Sequence, residues 1–359
     1  MPHDLSGSDL SERFSMRLTA LAFLLFLILG DAVRSEWEMV CVEDPDYVTL
    51  ASVVASYGLS TSARSGTGEL SATGRSSSLT VRADSRQALI NGVRHWLSYP
   101  VRQPEGGLAI SRVDVTRTLA PALRPEAVSG LNPVTTVVLD AGHGGHDRGA
   151  LSPFGDEKHF ALDVVGRVRR KLEAAGLKVV QSRDSDVFIP LEARPALAGK
   201  YPNAIFVSIH FNAARRRSAA GLEIFAIPPQ GAPPTGQQQP AAHDCQRENG
   251  HALEPVNLAL ATTLYQTVLG RLSSFDRGVK RARFAVLREA TVPAVLIEGG
   301  FLTEPTEAAQ IASASWRQQY ANAMAAGIRE YKRLAEQRVL PRRATDYGRT
   351  PTTEFVPED

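Results

Sequence analysis

Cysteine is nearly absent. The 359 residues hold two, Cys41 and Cys245, which excludes a disulfide-dense scaffold and any site of four thiolates around zinc. One bridge and two free thiols are both compatible with that count. A dominant charge is also lacking: 40 Lys+Arg against 38 Asp+Glu leave a formal net charge of +2. No global field therefore draws the chain to nucleic acid or to anionic lipid. The apolar run at residues 18–29, LTALAFLLFLIL, falls short of the ~20 residues a spanning helix needs. What the chain does have is apolar material, 43% hydrophobic against 22% charged residues. That is enough for a sizeable core and two domains, and it excludes wholesale disorder.

The short apolar run follows Arg13 and Arg17 and precedes Gly30, Asp31 and Ala32, the outline of a signal peptide over residues 1–32 with cleavage after Ala32. An uncleaved anchor or a buried core helix is the competing reading. Met16 offers an alternative start, since MRLTALAF would place a compact charged region before the apolar run. The expectation is export to the periplasm or cell wall, with no stable membrane span after cleavage.

Residues 33–131 read as a small β-rich module, punctuated by Gly, Ser and Pro. Residues 47–57 are its helical candidate, strands are expected at 79–81 and 109–110, and Asn91-Gly92 marks a turn. A second domain, 132–336, alternates strands with helices, the pattern of an α/β fold with a twisted, mainly parallel sheet and helices on both faces. Its strands are expected at 137–139, 178–181, 204–209, 222–227 and 294–297. Its best amphipathic helix, 157–175, has Asp156 as N-cap and stops at Gly176. Trp316, Tyr320, Met324, Ile328, Tyr331 and Leu334 form the stripe of a closing helix. The Pro- and Gln-rich segment 228–249 reads as an exposed, flexible insertion, and 337–359 as a disordered tail.

In an open parallel sheet, ligands gather outside the carboxyl ends of the strands. His143 stands just after the first strand of the second domain, His210 directly after the third and Glu298 directly after the last, while Glu157 heads the amphipathic helix. Two imidazoles and one carboxylate suit an open Zn²⁺ site, leaving the fourth residue for proton transfer. Each also has a bland explanation: a loop histidine, a first-turn glutamate facing the helix dipole, a salt-bridged acid. Their joint placement at strand ends favours the functional reading, because a structural role would accept Asn, Ser or Gly equally well. His146, Asp147 and His159 compete for ligand roles, and His146 is read as solvated. The loop GHGGHDRG lacks the spacing of a phosphate loop. The basic run 215–217 is read as a solvated loop.

The ordered blocks VVLDAGHGGHDRGA, EK at 157–158, RDSDVFIPLEARPALA, FVSIHFNAA, RGVKRARFAVLREATVPAVLIEGGFLTEP and WRQQYANAMAAGIREY resemble the zinc-dependent N-acetylmuramoyl-L-alanine amidases. The resemblance implies His143, Glu157 and His210 as zinc ligands and Glu298 as catalytic carboxylate. It further implies peptidoglycan as substrate and cleavage of the amide between N-acetylmuramic acid and L-alanine. Departures are His146, where the family usually carries another polar residue, and the 228–249 insertion, where some division amidases carry an inhibitory helix. That segment is too rich in Pro and Gly to be such a helix throughout. A non-catalytic peptidoglycan-binding protein and an exported zinc peptidase or deacetylase are the alternatives. Through YVTLASVVASYGL, INGVRHWLSYPV and ISRVDVTRTLAPALRP the first module is similar to the copper-amine-oxidase-like N-terminal domain, and a wall component is one candidate ligand for it. It carries no His or Cys cluster to hold copper.

Overall fold

The protein is described by a computed structural model covering residues 39–40, 46–62 and 68–337. The expected signal peptide, Cys41 and the tail beyond Gln337 lie outside the described residues, while Cys245 is a free, exposed thiol. No helix among the described residues is long and apolar enough to cross a membrane.

One eleven-stranded sheet organises the chain. Its strands are β1 (Ser60–Ser62), β2 (Glu69–Thr73), β3 (Ser78–Arg82), β4 (Gln87–Ile90), β5 (Val93–Trp96), β6 (Thr136–Ala141), β7 (Lys178–Gln181), β8 (Ala204–Asn212), β9 (Leu222–Ala226), β10 (Asp276–Arg281) and β11 (Ala294–Phe301). In space they run β7-β6-β8-β11-β9-β10-β5-β4-β3-β2-β1. From β7 to β11 all pairs are parallel. β9 then reverses against β11, β10 follows β9 and β5 follows β10 in parallel, and β5 to β1 form an antiparallel meander. The expected Asn91-Gly92 turn joins β4 to β5, with both residues at positive φ, as a two-residue hairpin requires. Residues of the first module thus continue the sheet of the second.

Three helices cover one face: α1 (Glu157–Glu173), α2 (Glu254–Leu269) and α3 (Ala314–Glu336). Alternate strand residues, Val137, Leu139, Ile205, Val207, Ile209, Val295 and Ile297, pack in the core beneath them. The other alternation, Val138, Phe206, Ala294 and Leu296, meets a smaller core that includes Val286, Leu287 and Ala290. Because side chains alternate with period two, His210 and Glu298 fall on this second face.

Three expectations change. Tyr47–Thr49 is a strand paired with Ala109–Ser111, and the helix begins only at Leu50; pairing overrides the local helical pattern. Asp156 does occupy the N-cap of α1, but its side chain makes no cap bond and takes Arg148 instead, at 2.7 Å. The 228–249 segment is not a free excursion. Ala232 and Asp244 are buried, Arg283 pairs with Asp244 at 2.8 Å, and Arg86 donates to Gln237 O at 2.5 Å. Arg86 collects the carbonyls of Pro234, Thr235 and Gln237, and Arg283 those of Pro229, Ala232 and Asp244.

At the seam between β5 and β10, His95 is fully buried. Its Nδ1 lies 3.1 Å from Val93 O and its Nε2 3.0 Å from Thr262 Oγ1, an arrangement that suits the neutral ring, with Nδ1–H donating and Nε2 accepting. Burial pushes its pKa down to about 4. A histidine depressed in the folded state contributes stability that is complete above its unfolded pKa of about 6.5 and fades as pH falls toward the folded value. Unfolding free energy should therefore drop by about 2 kcal/mol between pH 8 and pH 5 from this residue. Urea melts of the wild type and of His95→Gln at both pH values check this. An equal pH slope in the two proteins would contradict it.

Candidate active site

His143, Glu157 and His210 come together with one ligand-type atom of each within 4.8 Å of the others, the one such group among the described residues. His143 leaves the end of β6 at positive φ, +59°, in a turn of glycines that permit the close approach. A Cβ on Gly142 would lie 2.4 Å from the His210 ring, and one on Gly149 would lie 2.5 Å from Glu157 Oε2. Side chains there would fill the space into which the three donors point.

Glu157 is the hub, buried at the head of α1. Its Oε1 meets His210 Nδ1 at 2.8 Å and accepts from Phe211 N at 3.0 Å. Its Oε2 meets His143 Nε2 at 3.0 Å and accepts from Ala150 N at 2.8 Å. Burial works to raise the pKa of Glu157, but the two imidazoles outweigh it and hold the carboxylate well below the usual range. Asp147 lies 2.8 Å from His143 Nδ1, which leaves Nε2 facing the cluster, as an outer carboxylate does for a ligating histidine. The donor set and its spacing fit a divalent cation held by His143 Nε2, His210 Nδ1 and a Glu157 oxygen.

Glu298 is the register partner of His210 in the neighbouring strand, so the two side chains share a face. On its other side it pairs with Glu223 of β9. Glu298 Oε2 is enclosed and meets no hydrogen-bond donor among the described residues. Burial first, then Glu157 and Glu223, push its pKa well above the ordinary value. Glu223 is itself neutralised by Arg277 at 2.7 Å and Lys280 at 2.8 Å, while Asn212 Nδ2 donates to its other oxygen at 2.7 Å. Buried beside two other carboxyl groups, Glu298 therefore holds its proton more tightly than an ordinary glutamate.

The other candidates stand apart. His146 is exposed and packs on Phe188. His159 is exposed, with Asp186 at 3.6 Å. Residues 215–217 are exposed.

Sequence reasoning assigned no role to the groups that hold the His143 loop. Arg194, paired with buried Asp140 at 2.9 Å, donates to Ala141 O at 2.9 Å and His143 O at 2.8 Å. Arg183 donates to Ala141 O, Gly142 O and Lys158 O at 3.0, 2.7 and 2.7 Å. Both arginines lie in the quoted block RDSDVFIPLEARPALA. Their acceptors are backbone carbonyls, which leave no signature in sequence.

Comparison with known proteins gives consistent results. The chain is similar to N-acetylmuramoyl-L-alanine amidase AmiC of Neisseria meningitidis serogroup B, with 34% identity over 224 residues, 56% of this chain and 53% of that protein. It is similar to AmiA of Escherichia coli K12, with 33% identity over 221 residues, 54% of this chain and 75% of that protein. Among solved structures it is similar to the amidase AmiC2 of Nostoc punctiforme, with 32% identity, a TM-score of 0.45, and coverage of 56% of this chain and 98% of that one. The chain spans about half the length of the AmiC proteins it matches, 53% and 54%. The model of the Amidase_3 family, N-acetylmuramoyl-L-alanine amidase, matches residues 137–330, and the protein belongs to that family.

Proposed function

We propose that the protein is an exported, zinc-dependent amidase that hydrolyses the amide joining the lactyl group of N-acetylmuramic acid to L-alanine in peptidoglycan. The observation that carries this reading is the convergence of His143, Glu157 and His210 within 4.8 Å, with Glu298 one strand away in register, in a chain of this family. His143, Glu157 and His210 would hold the zinc. Zinc, when bound, supplies a Lewis acid for the scissile carbonyl and lowers the pKa of water to about 7.

The chain's own residues do the rest. Glu298 takes the proton of the attacking water at its carboxylate and delivers it to the departing alanine nitrogen. Its register with His210 in the next strand sets that carboxyl group beside the three-donor cluster. Asp147 fixes the tautomer and aim of His143. Glu157, anchored through two backbone N–H groups, keeps its place through the cycle. We further propose that residues 33–131, whose strands extend the sheet of the second domain, bind a wall component.

Purified sacculi incubated with the protein and zinc test the reading. Mass spectrometry should find free lactyl carboxyl ends and new L-alanine amino termini. Cleavage at another bond would favour the peptidase or deacetylase reading, and retention without cleavage a binding protein.

A further inference from the structure

The loops around the candidate centre carry large apolar side chains open to solvent: Leu151 and Phe154 at 53%, Leu191 at 49%, Val187 at 46% and Phe188 at 39% exposure. Large apolar side chains left exposed on the loops that carry a site are a mark of a binding surface. Leu151 and Phe154 lie on a tight hairpin, Leu151–Ser152 against Gly155–Asp156, that runs straight into Glu157. Val187, Phe188 and Leu191 lie on the loop after β7, which is fastened to the His143 loop. Asp186 accepts from Gly145 N at 2.8 Å and from Lys158 Nζ at 2.6 Å, and Arg194 Nε donates to Ile189 O at 3.0 Å. Gly144 and Gly145 make the fastening feasible, since a Cβ there would lie 2.1 Å from Val187 O and 2.8 Å from Phe188 N. His146 packs on the Phe188 ring with centroids 4.3 Å apart and planes tilted by 36°.

We propose that Phe188, backed by His146, is a platform on which a sugar ring of the glycan strand stacks, with Leu151 and Phe154 as a second apolar contact. This rests on the amidase reading. A pyranose presents a flat face of C–H groups, which packs against the electron-rich face of an aromatic ring. The stem peptide, built around alanine, acidic and diamino residues, offers no large apolar group for such a surface. The platform adjoins the centre, because the loop that carries His143 also carries His146.

The test measures retention of full-length protein, in an inactive Glu298→Gln background, on three probes: peptide-free glycan strands, free stem peptide and anionic phospholipid vesicles. Phe188→Ala should weaken glycan retention about tenfold and leave stem-peptide retention unchanged. Phe188→Trp should keep glycan retention, and His146→Ala should give an intermediate loss. Phe188 is exposed, so the variants should unfold at the wild-type urea midpoint. Unchanged glycan retention in Phe188→Ala, or retention on vesicles in place of glycan, overturns the platform. Failure of the amidase reading shows up separately, as active wild-type protein with zinc that releases no lactyl ends from sacculi.

Discussion

Glu298→Ala is expected to bind as much zinc as the wild type and to lose turnover by about two to four orders of magnitude, whereas His143→Ala and Glu157→Ala lose metal and activity together. The asymmetry follows from the geometry. Glu298 lies beside the three-donor cluster in the next strand, and its removal leaves that cluster whole. It also takes away an enclosed carboxyl with no donor to satisfy its Oε2, so the fold should tolerate the change. Glu157→Ala should be the more damaging of the two ligand variants. Both its oxygens hold backbone N–H groups as well as imidazoles, and those donors would be left buried and unpaired. Metal content by mass spectrometry and the release of lactyl ends from sacculi give the two readouts. An active Glu298→Ala would remove the acid–base assignment.

Arg194→Ala should cost about 3–5 kcal/mol in unfolding free energy. Arg194 and Asp140 are 2% and 0% exposed. Truncating the arginine leaves a carboxylate in the interior, with the Ser182 and Ser208 hydroxyls, at 2.6 and 2.7 Å, as its remaining donors. The loss should also reach the centre, because Arg194 holds the carbonyl of His143 itself. Zinc affinity should fall along with stability. A urea melt of the metal-free protein and a zinc titration, done on the same variant, separate the two effects. Wild-type stability in this variant would show that Asp140 is satisfied without it.

Much of the parallel half of the sheet was legible because each of its strands carries a short apolar run. Lys178–Gln181 has the expected bounds, and β6, β8 and β11 extend their expected runs by a few residues. The strand Asp276–Arg281, reading DRGVKR, was not expected. Its charges look solvated in sequence, yet Asp276 accepts from Arg94 N and Tyr265 Oη, and Arg277 and Lys280 close on Glu223. The helix Glu254–Leu269 shows no polar stripe because it is buried on nearly all sides, including Asn257 and Thr262, so periodicity had little to report. His143 does follow the end of its strand, but His210 and Glu298, expected just beyond theirs, lie inside β8 and β11 near the carboxyl ends, because the ladder continues past them to Asn212 and Phe301. The role of Arg183, Arg194 and Asp147 required knowing which backbone turns back on which.

The reversal of β9 against β11 has a regulatory corollary. As β9 proceeds from Glu223 to Phe225 its partners in β11 run backward from Glu298 to Leu296. The 228–249 segment therefore departs from the rim of the sheet remote from the histidines, and its buried Asp244 and the grip of Arg86 keep it there. A stopper built from that segment would have to unlatch from Arg283 and Arg86 and travel the full length of the strands to reach the centre.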